Sequence, residues 1–181
     1  MLTLQKTVLD EYLQLPEGAK YQLIKGEIIE MPSPTDYHQE VLFILTVKLG
    51  NFLLQNKIGV ARFAPLDVHL DEENVFQPDL LYVSNENKHI IKDRIYGAPD
   101  LVVEVLAPST AYYDWEEKKE IYAKYGVKEY WIINPNKRSL EIYHNKNAEF
   151  DLVSKTKENG LIKSDVIVGF EFELSELFQK L

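Results

Sequence analysis

The chain has 181 residues, 45% of them hydrophobic, 27% charged and 12% aromatic, a globular composition with enough apolar material for one core, so a single domain over residues 1–181 is expected. It contains no cysteine, which excludes a disulfide framework and a thiolate metal site. A net charge of −9 argues against the broad basic footprint of a dedicated nucleic-acid binder, while leaving room for an enzyme that meets nucleic acid through a small basic patch and a metal ion.

Residues Met1 to Asp10 hold no long apolar run and no basic leader, so no signal peptide is expected. The apolar stretches fall far below the roughly 20 residues needed to cross a bilayer. The expected location is the cytoplasm, with no membrane partner.

In chain order, Thr7–Leu15 reads as a short helix stopped by Pro16. Tyr21–Ile24 and Glu27–Met31 read as a hairpin turning at Lys25-Gly26, where glycine supplies a positive φ. Thr35 or Asp36 can cap a long helix to about Gln55, with Val41, Ile44, Leu45, Leu49, Phe52 and Leu53 at helical spacing. Gly59–Phe63, Leu66–Leu70 and Asp79–Val83 read as strands. Asp71–Asn74 and Ser84–Lys88 read as polar loops.

Leu101–Leu106 is almost wholly aliphatic, as in a strand buried on both faces, and Pro108 is expected to stop it. Asp114 and Glu117 have capping-box spacing for a helix that runs to Tyr125 and ends at Gly126. Tyr130–Ile133 is a second core strand, and the strand–helix–strand run predicts a right-handed parallel crossover. Ser139–His144, the segment around Phe150 and Val166–Phe172 predict further strands, and Ser175–Phe178 a terminal helical turn.

Glu104 is the most informative residue because it interrupts an apolar strand. A carboxylate there costs several kcal/mol unless it is paired, hydrogen-bonded or bound to metal. The plainer reading is a buried ion pair or a strand end near solvent. Asp79 follows Pro78 at the start of an apolar strand, where an acid alone is often a turn residue. Together the two would make a hard-oxygen site suited to Mg²⁺ or Mn²⁺.

Lys118, one turn into the following helix, could fold over such a site, although Glu116–Glu120 also reads as a solvated charged face. Asp100 shares a face with Glu104 in a regular strand and is either a further acid or a strand cap. Glu27 reads as a hairpin charge and His38 as a helix-start histidine. His69, His89 and His144 have no metal-binding spacing. Tyr112, Tyr113, Trp115, Tyr122 and Tyr125 cluster on one helix, chiefly for packing, although Tyr112, Tyr113 or Trp115 could face a substrate base. No Walker loop, dinucleotide-binding turn, His-Glu-x-x-His or Gly-x-Ser-x-Gly occurs.

The segments Tyr21–Glu27, Gln77–Val83 and Ala98–Thr110, then Asp114 with Lys118 and Tyr122, then Gly126–Pro135, resemble the Uma-type restriction-endonuclease-like family of bacteria, within the PD-(D/E)XK nuclease superfamily. The resemblance implies an α/β fold with a central mixed sheet flanked by helices. It implies Mg²⁺- or Mn²⁺-dependent cleavage of DNA, with homodimers common in the superfamily. By that resemblance Asp79 matches the Asp of the Pro-Asp motif and Glu104 the acid of the third motif; both would hold the metal. Leu106 stands where the usual lysine would be, and Lys118 is the displaced candidate. Glu27 resembles the family's early acid and His38 its helix-start histidine. The rival expectation is a binding or assembly module that keeps the fold without turnover. A third is a hydrolase of nucleotides rather than of polymeric DNA.

Overall fold

The structure is a computed structural model that describes residues 6–16, 18–107 and 112–179. Helix α1 (Val8–Tyr12) is capped by Thr7, which exchanges bonds with Asp10 in a capping box. It is shorter than the predicted Thr7–Leu15. Strands β1 (Tyr21–Ile24) and β2 (Glu27–Glu30) form the expected hairpin. Lys25 (φ 49°) and Gly26 (φ 79°) are both left-handed, the conformation a tight two-residue connection demands. Helix α2 (Asp36–Asn56) starts at Thr35, whose side chain accepts from the His38 N–H.

Strands β3 (Gly59–Phe63), β4 (Val68–His69), β5 (Val75–Phe76), β6 (Leu80–Ser84), β7 (Ile95–Tyr96) and β8 (Leu101–Val105) follow. Of the predicted Leu66–Leu70 strand only Val68–His69 pairs, and β5 and β7 are two-residue strands that no sequence pattern announces. A π-helical turn, Tyr113–Glu117, leads into α3 (Lys118–Tyr125), which Gly126 terminates at φ 93°. Then come β9 (Glu129–Asn134), β10 (Ser139–Lys146), β11 (Glu149–Lys157), β12 (Leu161–Lys163), β13 (Glu171–Glu173) and a closing 3-10 turn, Leu174–Phe178. Pro108, expected to stop β8, lies outside the described residues.

Two of these expectations are corrected. The Asp114–Glu117 capping box does not form, because the chain is already helical there and Asp114 is buried against Lys118 instead. Val166–Phe172 is not one strand. Gly169 turns it at φ 86°, and the Asp165 and Val166 N–H groups donate to the Glu129 carboxylate rather than to a ladder.

The main sheet has six strands in the order β11-β10-β9-β8-β6-β3, with β8 and β9 parallel and the other pairs antiparallel. A five-stranded sheet, β2-β1-β5-β4-β7, and the β12–β13 ribbon complete the strands. Strand β8 is buried on both faces. Leu101, Val103 and Val105 pack with Val41, Leu45 and Leu49 of α2 and with Phe170, Phe172 and Leu177. Val102 packs on the other face with Ile121 and Tyr122 of α3, Tyr130, Ile24 and Phe76. Alternation therefore turns Glu104 toward α3, at the end of β8 where it meets the start of β6.

Candidate active site

Asp79 and Glu104 are tied together by reciprocal bonds across the β6–β8 pair. The Asp79 N–H donates to Glu104 Oε2 at 3.3 Å, and Asp79 Oδ2 accepts the Val105 N–H at 2.7 Å. His38, buried in the first turn of α2, places Nε2 3.2 Å from Asp79 Oδ2. Its Nδ1 is buried with no hydrogen-bond partner among the described residues.

On the opposite side, Lys118 Nζ donates to Glu104 Oε1 at 3.1 Å and to Asp114 Oδ1 at 2.8 Å. The Tyr122 hydroxyl also donates to Glu104 Oε1, at 3.1 Å. Asp114, Lys118 and Tyr122 recur at four-residue steps, so one helical face carries all three. The π turn is the widened stretch that delivers Asp114 into this row, a feature found often at functional sites.

Burial dominates the electrostatics. It pushes the Glu104 carboxyl up to about 8, with Lys118 pulling the other way and Asp114 and Asp79 reinforcing it. Asp114 is likewise raised by burial against the pull of Lys118. Burial alone would lower Lys118, but Asp114 and Glu104 outweigh it and keep the ammonium charged. Burial would also lower His38, and the hydrogen bond and charge of Asp79 reverse that. Three carboxyl groups thus share one firm cation and a histidine, and in this low dielectric the site resists ionising all three at once.

The cluster opens into a cleft of about 380 Å³ lined by His38, Asp79, Glu104, Asp114 and Lys118, with Lys20, Gln22 and Gln77 on its walls. Among the described residues, no group of three or more His, Asp or Glu is arranged to hold a metal ion. Of the five residues singled out from the sequence, Asp79, Glu104, Lys118 and His38 are brought together here. Glu27 is not. It is exposed at the hairpin, paired in register with Ile24, and does not line the cleft.

Asp100 is at the far end of β8, where its carboxylate accepts the Ser84 N–H at 2.7 Å and the Lys128 ammonium at 2.6 Å. It caps the strand. His69 stacks on Tyr96 with ring centroids 4.9 Å apart, and His144 is 3.4 Å from Glu129. Asp114 and Tyr122 enter the sequence reading only among the residues that carry the resemblance, with no role of their own. Capping-box spacing puts Asp114 at a helix start and the aromatic cluster puts Tyr122 in packing, although their four-residue spacing around Lys118 is the signal that marks them. Gln22 and Gln77 carry no such signal. Gln77 donates its N–H to Gln22 Oε1 at 3.1 Å and its side-chain amide to the buried Asp67 at 2.8 Å.

No curated protein matches the chain. A crystal structure described as a putative nuclease belonging to DUF820, from Anabaena variabilis ATCC 29413, matches it with a TM-score of 0.77, covering 94% of this chain and 96% of that one at 20% identity. At that identity the likeness speaks for the fold, a mixed α/β nuclease-type architecture. The family model described as "Uma2: Putative restriction endonuclease" matches residues 9–175, nearly the whole chain. The chain therefore belongs to the Uma2 family.

Proposed function

We propose that this protein is a divalent-metal-dependent endonuclease that hydrolyses phosphodiester bonds in DNA. Family membership supports a nuclease-like function. The observation that carries the finer reading is the gathering of three carboxyl groups, the half-buried Asp79 and the buried Glu104 and Asp114, against one ammonium and one histidine in a cleft open to substrate. Ionising all three together is costly unless a further cation offsets the charge.

The donor set fits a hard ion. Mg²⁺ keeps several waters and takes one or two carboxylates plus phosphate oxygens, so it needs no group of three protein ligands. Asp79 and Glu104 would hold it. When bound, the ion supplies Lewis acidity to a phosphoryl oxygen and makes water a better nucleophile. His38 Nε2 orients Asp79 Oδ2. Lys118 has three donors, of which Glu104 and Asp114 take two among the described residues. The third is available to orient an attacking water or to offset charge on the phosphate. Tyr122 fixes the Glu104 rotamer.

The test is titration of Mg²⁺ and Mn²⁺ into the wild type, Asp79→Ala and Glu104→Ala, alongside nicking of supercoiled plasmid. Binding and nicking that vanish together in both variants support the reading, and nicking retained in both would overturn it. One observation favours a second reading, a binding module without turnover. Both Glu104 oxygens are already engaged by protein donors. Metal binding without hydrolysis of plasmid or of small phosphodiesters would select it.

A further inference from the structure

Glu104 stands in a register row that crosses the main sheet: Glu104 opposite Ile132, Ile132 opposite Glu141, Glu141 opposite Lys155. Residues opposite one another in a ladder share a face, so this row runs from the carboxylate cluster along the α3 side of the sheet. Three inter-strand steps put Lys155 roughly 14 Å from Glu104. At that end of the row is a second cleft of about 430 Å³, whose lining includes Trp115, Lys137, Arg138, Lys155 and Lys157. It opens at the C-terminal ends of β9 and β11 and the start of β10. Because β8 and β9 are parallel, this is the sheet end where Glu104 lies.

The charge of this cleft departs from that of the molecule. Its lining carries four cations and two acids, Glu141 and Glu158, in a chain of net charge −9. Glu141 is paired with Lys155 at 2.7 Å and Glu158 lies 3.7 Å from Lys157. Lys137 and Arg138 are exposed and have no carboxylate partner among the described residues. Arg138 is held at φ 47°, a left-handed conformation that glycine or asparagine adopts at less strain. Lys137 Nζ lies 5.9 Å from the centre of the Trp115 ring, whose indole N–H is buried without an acceptor among the described residues. Trp115 follows Asp114 directly, so one helical turn joins the two clefts.

Resting on the nuclease reading above, we propose that the cleft at Lys137, Arg138 and Trp115 binds the phosphate backbone of the nucleic-acid substrate and leads it along the sheet end to Asp79 and Glu104. A polyanion approaching the acid cluster of an acidic protein meets repulsion at long range. Lys137 and Arg138, which meet the Trp115 and Phe178 rings but no carboxylate among the described residues, supply the local attraction, through contacts that release counterions. Trp115 adds an aromatic surface beside these two cations.

The experiment is binding of a short fluorescein-labelled DNA duplex, and of its single strand, in EDTA at a series of salt concentrations, so that no cleavage occurs. The variants are Lys137→Ala, the double variant Lys137→Ala with Arg138→Gly, and Lys57→Ala as a control at the opposite end of the sheet. Glycine suits the backbone at 138, and thermal melting verifies folding. The double variant is expected to bind more weakly, with the slope of log K against log salt reduced by about 2 and by about 1 for the single variant. Lys57→Ala is expected to match the wild type. A double variant with wild-type affinity and slope overturns the inference, even if the wild type nicks plasmid. No binding by the wild type overturns it as well. Binding that depends on Lys137 and Arg138, in a protein that never cleaves with any metal, upholds the cleft and removes the nuclease reading instead.

Discussion

Lys118 and Glu104 form an ion pair at 3.1 Å in which each side chain is only 4% exposed, and the same ammonium serves Asp114 at 2.8 Å. Breaking a buried pair from one side leaves an uncompensated charge, a cost of about 3–5 kcal/mol. Lys118→Met is therefore expected to lose up to that much stability in urea at neutral pH, with proton uptake by the raised Glu104 carboxyl offsetting part of it. Combining it with Glu104→Gln should cost less than the sum of the two, because one of the two stranded carboxyl groups is gone. Nicking should fall by roughly 10²–10³-fold, the scale of losing one electrostatic donor. A stability loss below about 1 kcal/mol would show that the acids do not rely on Lys118.

His38 acts through Asp79. Its Nε2 is 3.2 Å from Asp79 Oδ2, and the Val105 N–H holds the same oxygen from the other side at 2.7 Å. His38→Ala leaves one anchor of two. Metal affinity and nicking are expected to drop by about 10–100-fold, the usual effect of deleting a partner of a ligand, whereas Asp79→Ala abolishes both. Equal Mn²⁺ affinity in wild type and His38→Ala would refute the anchoring role.

The parts legible in the sequence are those that local chemistry decides. The hairpin needed only Lys25-Gly26, the long helix only its apolar spacing after Thr35, and β8 only its aliphatic run. Glu104 stood out because it broke that run. What remained hidden depends on partners distant in sequence. The β5 strand is two residues long and exists because β1 and β4 flank it. Glu129 looks like an ordinary strand-end acid, yet it is fully buried and accepts the Trp131 indole N–H and two backbone N–H groups near 165. Asp114 was misread because its capping-box spacing to Glu117 competes with an equally regular spacing to Lys118, and burial decided for the latter. Glu27 drew attention by resemblance alone, and the hairpin leaves it in solvent.

Gly59 is required by space at the edge of the main sheet. A Cβ there would lie 2.4 Å from Tyr82 Cε2 and 2.5 Å from the Val83 carbonyl oxygen. The Tyr82 ring is buried and its hydroxyl donates to the Ile58 carbonyl at 3.0 Å, so neither neighbour yields easily. Gly59→Ala is expected to cost about 1–3 kcal/mol by forcing β3 from β6. Gly50, within α2, has nothing within 4 Å of its added Cβ, so Gly50→Ala should stabilise by about 0.5–1 kcal/mol. Thermal melting of both variants checks the pair, and opposite signs are the expected result. Metal affinity should not move in either, since Gly59 pairs with Ser84, at the other end of β6 from Asp79.

Asp100 supplies a pH dependence separate from the candidate site. Burial alone would raise its carboxyl, but the Lys128 ammonium at 2.6 Å and the Ser84 N–H at 2.7 Å outweigh burial and hold it below its ordinary 3.8. With the folded pKa depressed, the unfolded chain takes up the proton first as pH falls. The contribution of Asp100 is therefore complete above the ordinary value and is lost as pH drops through the folded one. Asp100→Asn removes the charge while keeping an acceptor for Ser84. It is expected to cost about 1–3 kcal/mol near neutrality, the range for losing a charged hydrogen bond. Urea unfolding of both proteins at neutral pH and below about pH 4 should show the gap closing only in acid. A gap that persists unchanged into acid would mean that shape, not charge, makes Asp100 matter. Nicking by the folded variant should equal that of the wild type, because this carboxylate lies at the opposite end of β8 from Glu104.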